Sequence, residues 1–94
     1  MIKTFADQDT KRLFHGQRPR KLPDEIWKRG ARKLLVLHAV TSLSELSVPP
    51  GNQFEKLKGD REGQHSIRIN QQWRICFVWR DGHAFDAEIV DYHD

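Results

Sequence analysis

Apolar positions along the chain follow two different periods. In the first half, Ile26, Trp27, Ala31, Leu34, Leu35 and His38 recur at the spacing of one helix face. Pro23, Asp24 and Glu25 just ahead suit the first turn and positive end of that helix. In the second half Ile67, Ile69, Ile75, Phe77, Trp79, Phe85, Ala87 and Ile89 all carry odd numbers, the alternation of strands with one buried face. The segment VPPGN at 48–52 divides the two halves. The pattern predicts an α+β fold: a short strand at 1–6, a short helix capped by Asp7 or Asp9 and ended at Gly16, the main helix, and a third short helix opened by the capping box Ser42-Leu-Ser-Glu45. Strands are expected near 54–58, 65–69, 73–79 and 83–93.

For odd residues to meet odd residues in both hairpins, the loops need odd lengths. Asn70-Gln71-Gln72 and Arg80-Asp81-Gly82, with Gly82 left-handed, meet that condition. On the even-numbered face this register sets Arg68 across from Arg74, and Glu88 across from Arg74 on the next strand. Two readings follow. Arg74 is half of a cross-strand ion pair with Glu88, or the two arginines form an anion site.

Composition narrows the class. Ninety-four residues make one domain, 1–94, and 37% hydrophobic residues with three Trp and five Phe exclude a disordered chain. No apolar h-region follows Met1 and no run approaches the ~18 apolar residues of a membrane span, so neither export nor a membrane is expected. The single cysteine, Cys76, cannot form an internal disulfide and fits a reducing, cytoplasmic setting. The net charge of +3 is unevenly spread: residues 11–33 hold nine Lys and Arg against Asp24 and Glu25. That stretch points to a polyanion or an acidic protein, although a solvated face is the commoner origin of such runs.

The even face also carries candidate chemistry. Guanidinium offers a planar, permanently charged fork to phosphate oxygens, which suits Arg68 and Arg74. Cleaving RNA without a metal needs a base for the 2′-hydroxyl, cations for the charge on the phosphate oxygens and an acid for the departing 5′ oxygen. Tyr92 shares the face of the arginines, and His93 is the better proton carrier of the two. On residues alone, an idle place near the chain end is the commoner reading of His93. The segment KLKGDREG at 56–63 adds Lys56, Lys58 and Arg61 beside that face. Phosphate-loop, zinc-spacing and serine-elbow patterns are absent, and no cofactor is expected.

Taken as ordered blocks, MIKTFAD, TKRLF, VPPGN, LKGDREGQHSIRINQQWRICFVW and EIVDYH resemble the HigB toxins of bacterial toxin-antitoxin systems, within the RelE/ParE superfamily. The resemblance covers nearly the whole chain. It implies a compact α+β fold with helices on a twisted antiparallel sheet, and a ribosome-dependent endoribonuclease that cuts messenger RNA in the ribosomal A site. The implied partners are a HigA-type helix-turn-helix antitoxin, the ribosome and its messenger RNA, and operator DNA through the antitoxin. The family's terminal active-site residues fall on Asp91, Tyr92 and His93. Arg68 and Arg74 align with its basic catalytic face, and Lys58 with the lysine of its LKGD block. Lys56, Arg61, Arg29 and Arg32 are then candidates for RNA or ribosome contact.

Two positions depart from the pattern. Glu55 stands where some members carry an active-site histidine, and His65 where an aromatic Tyr or Trp is frequent, its odd number pointing it towards the core. Two rival functions stay open: a ParE-like poison of DNA gyrase, and a catalytically weak toxin acting mainly as an antitoxin-binding co-repressor.

Overall fold

The computed structural model describes residues 1–92. Helices α1 (Gln8–Phe14) and α2 (Trp27–Ala39) lie on one face of a four-stranded antiparallel sheet. Its order is β1 (Glu55–Lys56), β2 (Gln64–Arg68), β3 (Trp73–Arg80) and β4 (His83–Asp91). The α+β expectation holds.

Side-chain hydrogen bonds fix where the helices start. Asp7 caps α1, its carboxylate accepting from the Thr10 amide at 3.2 Å and the Thr10 hydroxyl at 2.6 Å. The same fully buried hydroxyl accepts from the Ile89 amide at 2.9 Å, which ties α1 to β4. Pro23 at φ −62° leads through a tight turn, Asp24–Ile26, into α2. The buried face of α2 is Gly30, Leu34 and Leu37. Leu35, grouped with the core by its sequence spacing, is 57% exposed. Adjacent helix residues point about 100° apart, so Leu34 and Leu35 cannot both face the sheet, and Leu37 takes the place. A Cβ on Gly30 would sit 3.1 Å from the Leu13 side chain and 3.6 Å from that of Ile69, so glycine lets α2 approach both neighbours closely.

Two smaller elements differ from expectation. Residues 1–6 run parallel to β4 but pair with it as isolated bridges at Ile2–Ala84 and Phe5–Ala87, not as a strand, and the Thr4 hydroxyl accepts from the Asp86 amide at 2.8 Å. The capping box at Ser42 forms, but it opens a 3₁₀ turn, Leu43–Ser47, and not an α-helix.

The odd-numbered core is largely as expected, with Ile67, Ile69, Ile75, Phe77, Ala87 and Ile89 buried against the helices. Phe85 is the correction. The turn between β3 and β4 has two residues, Asp81 and Gly82, both at positive φ (53° and 79°), as the tight mirror-image hairpin turn demands. Arg80 therefore pairs with His83 and Trp79 with Ala84. Alternation alone would leave β4 out of phase with the core, and a bulge restores it. Glu88 faces Cys76 and Phe85 faces Val78, so Asp86 and Ala87 together oppose Phe77, with Asp86 at φ 54°. Ala84 fills the core position, and Phe85 lies on the other face under the Arg80 guanidinium, 4.3 Å from its ring centre. The shorter turn and the bulge each move the register by one residue, which corrects the expected Arg74–Glu88 pairing: Arg74 stands opposite Val90. Arg68 opposite Arg74 stands as expected.

Candidate active site

The face turned away from the helices carries the candidate chemistry. Strand alternation brings Ser66, Arg68, Arg74, Cys76, Glu88 and Val90 to it, and Tyr92 follows β4 on the same side. At the end formed by the β2–β3 turn lies a polar cleft of about 170 Å³, lined by Gln53, Glu55, Arg68, Asn70, Gln71, Arg74 and Tyr92. The turn itself is held by Asn70, whose side-chain oxygen accepts from the Gln72 and Trp73 amides at 2.9 and 2.8 Å.

Arg74 is the fixed element of the cleft. It is only 7% exposed, its Nε donates to the Ser66 hydroxyl at 2.7 Å, and a terminal nitrogen donates to the Gln53 carbonyl. Neutral acceptors thus hold it, leaving its charge uncancelled by a carboxylate at those contacts. Its guanidinium also sits 5.8 Å from the centre of the Tyr92 ring, within cation–π range. Arg68 is half-buried beside it. Two permanent positive charges so close repel, and an anion between them offsets that repulsion. Glu55 is the one carboxylate among the described residues lining the cleft.

Of the residues singled out by sequence, Arg68, Arg74 and Tyr92 meet in this cleft. Asp91 is adjacent but alternates to the other face, paired with Trp73, and its carboxylate accepts from the Gln72 side chain at 3.0 Å. His93 lies outside the described residues. Arg61 is engaged elsewhere: it donates to Gln64 at 3.0 Å and pairs with Glu88 at 3.2 Å, so Glu88 serves Arg61 and not Arg74. Lys56 pairs with His65 and alternates away from Glu55, outside the cleft lining. Lys58, exposed, precedes the turn Gly59–Arg61. Arg29 and Arg32 line a separate groove of about 390 Å³ with Glu25, Lys28 and Asn70. Asn70 belongs to both depressions, so the basic face of α2 and the cleft meet at that residue.

Sequence reasoning missed the parts played by Gln53 and Ser66. Ser66 was legible as an even-numbered neighbour of Arg74, whereas Gln53 acts through its main-chain carbonyl, for which no residue type codes. His65 does face the core side, stacked on Phe54 with ring centres 5.5 Å apart. Burial, then the charge of Lys56, lowers its pKa from the ordinary 6.5, and its buried Nδ1 has no partner among the described residues. The Cys76 thiol is buried and its pKa is raised by that burial, which makes it an inert packing group. Among the described residues no cluster of three or more His, Cys, Asp or Glu is placed to hold a metal ion, and no helix is long and apolar enough to cross a membrane.

Residues 3–93 match the family model for the RelE-like toxin of the type II toxin-antitoxin system HigB. The chain is 44% identical over 88 residues to Toxin HigB-1 of Vibrio cholerae, covering 93% of each. It is 34% identical to Endoribonuclease HigB of Proteus vulgaris, covering 99% of this chain and 100% of that one. The fold is similar to that of a YafQ mutant from E. coli (TM-score 0.60, 12% identity, 97% of this chain and 93% of that one). It is also similar to a chain of the YoeB-YefM complex from Staphylococcus aureus (TM-score 0.56, 22% identity, 100% and 99% covered).

Proposed function

This chain belongs to the HigB family of RelE-like toxins of type II toxin-antitoxin systems, and from that membership we propose that it is an endoribonuclease cutting messenger RNA in the ribosomal A site without a metal ion. The observation that carries the reading is the cleft itself: two arginines, a tyrosine and one carboxylate around a space of about 170 Å³.

Each group has a place in an in-line transesterification. The 2′-hydroxyl loses its proton to the Glu55 carboxylate, and the resulting oxygen attacks the adjacent phosphorus. Arg68 and Arg74 take up the charge that gathers on the non-bridging oxygens, Arg74 already aimed by Ser66 and Gln53. The bond to the 5′ oxygen breaks as His93 delivers a proton to it, with Asp91 orienting the imidazole. Tyr92 stacks on or positions the unpaired nucleotide, the usual grip on single-stranded RNA. The products are a 2′,3′-cyclic phosphate and a 5′-hydroxyl end.

Lys58 and Arg61 contact RNA or ribosome beside the cleft. Lys56, turned to the His65 side, contributes at longer range, and Arg29 and Arg32 grip ribosomal RNA along their groove. A helix-turn-helix antitoxin of the HigA kind is the proposed partner that silences the toxin and carries it to operator DNA. The protein acts in the cytoplasm.

Incubation of end-labelled messenger RNA with this protein, free and on programmed ribosomes, tests the reading. Cleavage on ribosomes alone, leaving fragments that end in a 2′,3′-cyclic phosphate, is expected. Equal cleavage of free RNA contradicts the ribosome dependence, and fragments ending in a 3′-hydroxyl contradict the mechanism.

A further inference from the structure

Asn52 is an unusual residue to find completely buried in a loop. It closes the turn Pro50–Asn52, far in sequence from the strands that carry the arginines. Its side-chain nitrogen donates to the Leu46 and Val48 carbonyls, both at 3.2 Å, and its oxygen accepts from the Lys33 ammonium of α2. Both amide donors and the acceptor are used, as a buried amide requires. Lys33 is half-buried, and burial, then the charges of Arg29 and Arg32, lowers its pKa. A cation kept there against desolvation and two like charges points to a use for its hydrogen bond.

The use lies one residue further on. Gln53 follows Asn52 in the left-handed region at φ 42°, where its carbonyl accepts from Arg74. Pinning Asn52 from three directions fixes where Gln53 begins, and the Gln53 carbonyl, one peptide further on, is one of the two acceptors that aim the Arg74 guanidinium. Ser66 alone, holding Nε, leaves the guanidinium free to pivot about that bond.

We infer that Lys33 and Asn52 are positioning residues for the reaction, setting the Gln53 carbonyl so that Arg74 is held ready for the scissile phosphate. The catalytic half of the inference rests on the RNA-cleaving reading above. The alternative is a purely structural staple for the loop, and the two differ in what they do to Arg74.

The test uses Lys33→Met, which keeps the apolar stem and removes the donor, with Asn52→Ala as the harsher variant. Cleavage on ribosomes and the Nε–H resonance of Arg74 are followed together, the latter assigned by its loss in Arg74→Lys. In Lys33→Met, kcat is expected to fall about ten- to a hundredfold, since small misplacements of a charge-stabilising group are costly, with KM within about twofold. The same substitution in an Arg74→Lys background should cost little more, because the two act as one unit. The Arg74 Nε–H should exchange faster with solvent in Lys33→Met, and Lys33→Arg should restore much of both signals. An unchanged Arg74 resonance overturns the inference whatever the cleavage assay gives, as does a loss additive with Arg74→Lys or one confined to KM. A wild type that cleaves nothing defeats the RNase reading and with it the catalytic half, while the resonance still decides whether Lys33 and Asn52 set Arg74.

Discussion

Arg68 and Arg74 stand directly opposite each other across β2 and β3, and of the two only Arg74 is buried. Like charges at such positions destabilise a sheet by about 0.2–1 kcal/mol. The ion pair that would relieve them goes instead to Arg61 and Glu88. The sheet thus keeps a repulsion that an anion can relieve.

Arg68→Ala should separate stability from activity. Removing one of the opposed charges is expected to raise unfolding free energy by about 0.2–1 kcal/mol. Cleavage should fall by about 10²–10³-fold with the loss of one charge-stabilising contact. Urea unfolding beside an RNA cleavage assay reads both, and a variant that is less stable and fully active contradicts the assignment.

Glu55→Gln removes the proposed base while keeping the shape of the cleft. Cleavage is expected to drop by about 10²–10⁴-fold in kcat, with KM little changed. An undiminished kcat for Glu55→Gln on programmed ribosomes assigns the proton to another group.

His65 gives the fold a pH dependence of predictable sign. Burial lowers its pKa below the ordinary 6.5, so acid favours the unfolded chain, where the imidazole takes up a proton more readily. That stability is fully present above the unfolded-state value of about 6.5 and is lost as pH falls towards the lower folded-state value. His83 shifts in the same direction. In His65→Phe, which keeps a ring beside Phe54, the fall in melting temperature between about pH 7.5 and 5 should be shallower but not abolished. A steeper fall in the variant contradicts this account.

Gly30 is where α2 meets α1 and the sheet. With a Cβ only 3.1 Å from Leu13, a branched side chain cannot enter without displacing core atoms. Gly30→Val is expected to cost about 1–3 kcal/mol by overpacking, measured by chemical denaturation. A neutral result would mean that Leu13 yields more easily than its burial implies.

The sequence carried the helices α1 and α2, the alternation of β2 and β3, and the meeting of Arg68, Arg74 and Tyr92 on one face. Each depends on side-chain periodicity, which sequence records directly. It misled at the start of β4 because the turn holds two residues and not three, and a bulge then restores the parity without changing composition: Asp86 at φ 54° carries no special residue type, and Phe85 reads as core until both are known. The Arg74–Glu88 pairing failed for the same reason. Leu35 failed because two adjacent apolar residues do not say which of them faces the sheet. The support of Arg74 by Gln53 was illegible, since a main-chain acceptor leaves no mark in the sequence.

The central claim is that the cleft at the β2–β3 turn cuts RNA. Cleavage of end-labelled messenger RNA on programmed ribosomes, comparing wild type with Arg68→Ala and His93→Gln at matched folding and ribosome occupancy, tests it most directly. The account predicts cleavage by wild type and a loss of at least about a hundredfold in both variants. Cleavage undiminished in both would contradict it, and no cleavage by wild type together with inhibition of DNA supercoiling would move the toxic action to gyrase.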